Sequence, residues 1–133
     1  MPDIRVSRTF DASDERLYDA FLDPAQARRF LFATATGEMV RADIDPRVGG
    51  RFTLTDRRDG EDVEHTGEYV ELERPRRIVF DFRVSKFSSQ TTRMTIEIQG
   101  GTVTVTQHDA PEEMAEKIRA GWESILKGLA VIL

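Results

Sequence analysis

Nucleophilic catalysis needs a serine, threonine or cysteine beside a base, and the imidazoles on offer are His65 and His108. His65 follows a polar hairpin and reads as a solvent-facing strand residue. His108 stands beside Asp109, and that pair admits two readings. One is a general base with its orienting carboxylate at a cavity mouth. The other is a residue that ends a strand, followed by one that caps a helix. No nucleophile or set of oxyanion donors accompanies the pair, so the second reading is preferred and no catalytic residue is assigned. Asp43, Asp45, His65 and His108 could be drawn into a metal site, but they follow no recognised ligand spacing. Cysteine is absent, which removes thiolate ligands, thiol catalysis and disulfides. Neither a metal nor another cofactor is expected. Gly49-Gly50 is no phosphate cradle, because a strand follows it rather than a Lys-Ser/Thr pair and a helix start.

The side chains with more to offer are apolar. Phe30, Phe32, Phe52, Phe80, Phe82 and Trp122, with Met94 and Ile96, should point into one interior, and Leu54, Ile125 and Leu126 share their phase. Any one of them reads as core. Together they describe the lining of a site for a small hydrophobic or amphipathic molecule, since such sites are mostly apolar with a few polar groups. Trp122 is central to it, being large and carrying an N–H that needs a partner. Phe87, in a polar loop over 85–90, is placed at the entrance.

These residues must be positioned by a sheet and a helix. Met114, Ile118, Trp122, Ile125, Leu126, Leu129 and Ile132 recur at steps of three and four, the stripe of an amphipathic helix over Glu112–Leu133. Ile4, Val6 and Phe10 alternate with polar residues as a strand, with Arg8 out of phase and so placed near an edge. Ser13 caps a first short helix. Asp23, Pro24 and Gln26 open a second with a capping box. Period-two alternation then predicts strands at 38–43, 51–55, 66–73, 77–84, 92–98 and 102–108. Turns at Arg47–Gly50, Asp59-Gly60, Arg74-Pro75 and Gly100-Gly101 separate them. Asp109 and Glu112 form a second capping box before the long helix. The order is β-α-α-β-β-β-β-β-β-α in a single domain, 1–133. The class is α+β: a curved antiparallel sheet of about seven strands wrapped around the C-terminal helix.

Composition bounds the partners. The 133 residues carry 19 basic and 24 acidic side chains, a net charge of −5. Arg28-Arg29, Arg57-Arg58 and Arg76-Arg77 lie on separate elements among acidic neighbours, so neither nucleic acid nor an anionic membrane is an expected partner. No apolar run reaches the roughly 20 residues of a membrane span and the N-terminus is no signal peptide, which places the protein in the cytoplasm.

Four stretches resemble a known family. They are Phe21-Leu22-Asp23-Pro24, Arg47-Val48-Gly49-Gly50-Arg51-Phe52, Gly67-Glu68-Tyr69-Val70-Glu71-Leu72 followed by Pro75, and Gly121-Trp122 leading to Leu126 and Leu129. In this order they resemble the branch of the START-like superfamily named after the activator of heat shock protein 90 ATPase. The resemblance implies a helix-grip fold with a cavity between sheet and helix. Taken with the apolar lining and the scarcity of catalytic groups, the resemblance leads to the expectation of a non-enzymatic domain holding a small hydrophobic or amphipathic ligand. A stress-related co-chaperone that binds a chaperone or another protein is the alternative it offers, and a cyclase- or hydrolase-like enzyme the third. The chain departs from the family pattern at Phe30-Leu31-Phe32, where members often carry tryptophan.

Overall fold

The strand Ile4–Thr9, β1, buries Ile4 and Val6 and exposes Arg5 between them and Ser7 to Thr9 beyond. Arg8 has the inward phase yet stays exposed, its guanidinium 5.8 Å from the Phe10 ring. It can do so because β1 is a sheet edge. Helix α1 (Asp14–Leu22) starts where the Ser13 hydroxyl accepts the Arg16 amide at 3.2 Å. Helix α2 (Pro24–Ala27) starts where the Asp23 carboxylate accepts the Ala25 amide at 3.0 Å. Gln26 closes this cap differently from a standard capping box. Its amide donates to the Asp23 carboxylate, while the Asp23 N–H is taken by the Asp19 carbonyl of α1.

Six strands follow: β2 (Glu38–Ile44), β3 (Arg51–Arg58), β4 (Glu61–Glu73), β5 (Arg77–Val84), β6 (Thr92–Gln99) and β7 (Thr102–Gln107). The computed structural model describes residues 3–34, 36–84 and 90–133. The sheet has seven antiparallel strands in the order β1-β7-β6-β5-β4-β3-β2. Asp59-Gly60 and Gly100-Gly101 both take positive φ at the two turn residues. That is the backbone of the tight hairpin whose twist matches its strands. β3 and β4 therefore run right up to the Asp59-Gly60 turn, past the expected limits of Thr55 and Thr66. Register shifts at Met39/Arg41 and Tyr69/Glu71 mark bulges, which bend the sheet.

Helix α3 (Ala115–Ile132) follows a 3₁₀ turn at Glu112–Met114. The expected Asp109–Glu112 capping box is not formed. Asp109 has φ 53°, Pro111 precedes the turn, and no side chain caps it. The Asp109 amide instead donates to the Asp3 carboxylate at 3.1 Å. Of the apolar stripe, Trp122, Leu126 and Leu129 are buried, while Ile118, Ile125 and Ile132 are half-buried. Met114 is exposed. The helix start lies over the ends of β6 and β7, so its first apolar residues find a cleft instead of the sheet. No helix among the described residues is long and apolar enough to cross a membrane.

Candidate functional site

The loop after α2 carries Phe32 at φ 59°, an uncommon backbone for a residue with a Cβ. The loop is fastened from below. Asp56, fully buried on β3, accepts the Thr34 hydroxyl at 2.8 Å and Arg58 Nε at 2.7 Å, and Arg58 also reaches the Phe32 carbonyl at 3.3 Å. Gly37 is needed beside this carboxylate, since a Cβ there would lie 2.6 Å from Asp56 Oδ1.

So held, the Phe32 ring becomes the hub of an aromatic cluster. It stacks on Phe82 at 5.5 Å and Phe52 at 6.2 Å, and meets Trp122 edge-on at 5.7 Å. Phe52 and Phe80 meet edge-on at 5.3 Å, Phe80 and Phe82 at 6.0 Å. The structure thus brings Phe32, Phe52, Phe80, Phe82 and Trp122 together. Leu54, Met94, Ile96 and Leu126 are buried around them, while Ile125 is half-buried. Phe30 lies in the same core, where it packs edge-on against Phe21 at 5.2 Å, under Gly128 of α3. Tyr69 and His65 join the cluster unanticipated, Tyr69 at 5.6 Å from Phe52.

His65 does not face solvent. β4 begins at Glu61, and its inward phase runs Val63, His65, Gly67, Tyr69, so the imidazole enters the grip and is 6% exposed. Its Nδ1 lies 3.3 Å from the Leu54 carbonyl, which can only accept, so Nδ1 carries the proton. Burial, with the Arg58 charge adding to it, pushes its pKa down to about 4. Val63, two residues earlier in the same phase, is the sequence signal that identifies this orientation.

A cleft of about 780 Å³ opens beside the cluster, between the strand ends and the start of α3. Met114, Ile118 and Pro111 give it an apolar wall. Arg93, paired with Asp81 at 2.8 and 3.0 Å, gives a charged one and holds the Asp81 carboxyl below the usual carboxylate range. Gln107 lines the cleft but is buried, and its side-chain oxygen accepts the Trp122 indole N–H at 3.5 Å, a long hydrogen bond. Trp122 is thereby linked to the cleft. Phe87, expected at the entrance, lies outside the described residues.

The other histidine lies on the cleft rim. His108 Nε2 is 2.8 Å from the Thr95 hydroxyl and Nδ1 is 3.4 Å from the Asp3 carboxylate, so its carboxylate partner is Asp3 and not Asp109. The Asp109 amide, and behind it His108, lower the Asp3 pKa. Carboxylate, imidazole and hydroxyl are the members of a nucleophilic relay. Thr95, however, is 6% exposed beneath the ring, so the arrangement works as a latch tying the N-terminus to β6 and β7. Among the described residues no group of three or more His, Asp or Glu side chains could hold a metal ion.

A family model described as Activator of Hsp90 ATPase homolog 1-like protein matches residues 11–133. A crystal structure of a protein from Chromobacterium violaceum is 27% identical with a TM-score of 0.87, covering 100% of this chain and 98% of that one. A Rhodobacter sphaeroides protein is 21% identical with a TM-score of 0.81, covering 98% and 91%. The solution structure of the AHSA1-like protein from Aeromonas hydrophila is 22% identical with a TM-score of 0.79, covering 97% and 90%. No curated protein matches the chain.

Proposed function

The chain belongs to the activator of Hsp90 ATPase homolog 1-like family, and from that premise we propose that it is a non-enzymatic domain binding a small amphipathic molecule between the sheet and α3. The observation that carries this reading is the join between cleft and cluster: Gln107, a residue of the cleft wall, is bonded to Trp122 of the cluster. The cleft volume falls within the roughly 300–1,000 Å³ of small-molecule sites. The apolar body of the ligand leans on Met114 and Ile118 and reaches toward Trp122, Phe32 and Phe82. With its oxygen committed to the indole, the Gln107 amide offers its NH₂ to an acceptor on the ligand. Leu54, Phe80, Met94, Ile96 and Leu126 support the apolar wall from behind, which makes Phe30 the outlying member of the expected lining.

Trp122 is the single tryptophan, so its fluorescence reports the site without ambiguity. Titration with 1-anilinonaphthalene-8-sulfonate should quench it saturably at one equivalent, and laurate should displace the dye. A linear, unsaturable response to both probes, with ligand-free mass only in protein purified from its own host, would sink the reading.

A further inference from the structure

The two edges of the sheet are not alike. At β2 the register slips between Met39 and Arg41, and Arg28 donates to the Met39 carbonyl at 3.0 Å, so that edge is bulged and covered. β1 pairs with β7 in unbroken register from Ile4 to Thr9. Its hydrogen-bond phase follows from one bond, Phe10 N–H to the Gly101 carbonyl at 2.8 Å. By alternation Ile4, Val6 and Arg8 turn their peptide groups toward β7, and Arg5, Ser7 and Thr9 turn theirs outward. Arg119 of α3 confirms the direction by donating to the Arg5 carbonyl at 2.9 Å.

Beside this free edge lies an open groove of about 740 Å³ between β1 and α3. Arg5, Arg8, Arg119 and Lys127 line it, against Glu123 as the anionic side chain. All four cations are exposed, and among the described residues none forms an ion pair. Elsewhere Arg41, Arg57, Arg74 and Arg93 each sit on a carboxylate. A chain with net charge −5 thus keeps, among the described residues, a cationic cluster without carboxylate partners at the regular edge of its sheet.

We propose that this groove takes an extended acidic segment of a partner protein as an eighth strand. Main-chain bonds to Ser7 supply the docking, Arg119 releases the Arg5 carbonyl, and carboxylates on the inward face of the added strand meet Arg8, Arg119 and Lys127. A second copy of this chain is disfavoured, because its β1 carries Arg5 and Arg8 and no carboxylate, and so would bring further positive charge to a groove already lined by cations.

The test uses a capped hexapeptide of alternating glutamate and valine, and its lysine counterpart, in an amide NMR titration. The glutamate peptide should shift the Arg5, Ser7 and Thr9 amides and slow their hydrogen exchange, and the lysine peptide should leave them unchanged. Ser7→Pro deletes an outward N–H that β7 does not use, at a position where an edge strand accepts proline, and should weaken binding at least tenfold. The surface double variant Arg8→Glu/Lys127→Glu should do the same, and it decides the matter if Ser7→Pro does not fold. Equal binding of both peptides, undiminished binding by the double variant, no binding at millimolar peptide, or a β1-to-β1 dimer in sedimentation would each overturn the proposal.

Discussion

The imidazole of His65 lies face to face with the ring of Phe32, 4.4 Å between centroids and 9° between planes. A charged imidazolium there would lose its water and face the Arg58 charge, which is why the folded pKa sits at about 4 against 6.5 unperturbed. Above pH 6.5 both folded and unfolded states hold neutral His65, and the group adds no pH dependence. As pH falls below 6.5 the unfolded chain takes a proton that the folded chain refuses, so stability drops until about pH 4. The loss over that window is on the order of 3 kcal/mol at 1.36 kcal/mol per unit. Comparing urea midpoints of the wild type and His65→Phe at pH 7 and pH 4.5 isolates it. An NMR titration placing His65 near 6.5 would contradict the burial argument.

Gly67 makes room for its cross-strand partner. Phe52 opposes it in the β3–β4 register, and a Cβ on Gly67 would run into the Phe52 ring and stand 2.7 Å from the Asp81 carbonyl oxygen. The ring cannot retreat, being packed against Phe32, Tyr69 and Phe80. Gly67→Ala should therefore destabilise by about 1–3 kcal/mol, as overpacked cores do. This runs against the usual gain from alanine in a strand. Chemical denaturation measures it, and a neutral result would mean the aromatic cluster is looser than its geometry.

The strands were legible because each alternates over a half-buried surface, and β5 runs from Arg77 to Val84 as its pattern predicts. What the sequence hid was phase and reach. His65 reads as solvent-facing only while β4 is thought to begin at Thr66; five more residues of strand turn it inward with Val63. The long helix was legible as a stripe of seven, but periodicity says which side is apolar and not how far the sheet extends beneath it. Met114 and Ile118 outrun the sheet and line a cleft instead. The Asp3–His108 pair joins residues 105 positions apart, a relation that no local pattern carries.

The bond between Trp122 and Gln107 is long, at 3.5 Å, and both partners are buried. Gln107→Leu keeps the bulk and removes the acceptor, leaving the indole N–H without a partner in the interior. The expected cost is about 1 kcal/mol, at the low end for an orphaned donor because the bond is already weak. The same variant should shift Trp122 emission to the blue, and an unchanged spectrum would place the indole N–H in contact with water.

Met114, at the end of the 3₁₀ turn that leads into α3, and Leu129, on α3 itself, belong to the same apolar stripe, yet they should respond oppositely to substitution. Leu129 is fully buried, so Leu129→Ala should cost about 2–5 kcal/mol. It is not one of the residues that line the cleft, so the affinity of the protein that remains folded for 1-anilinonaphthalene-8-sulfonate should be unchanged. Met114 is 40% exposed and lines the cleft, so Met114→Glu should move stability by less than about 0.5 kcal/mol. It should nevertheless weaken that anionic dye at least tenfold, by removing apolar contact and adding like charge. Urea denaturation and fluorescence titration of the two variants side by side separate a packing role from a binding role. Equal dye affinity in Met114→Glu and wild type would remove the cleft from the binding surface and leave α3 a purely structural element.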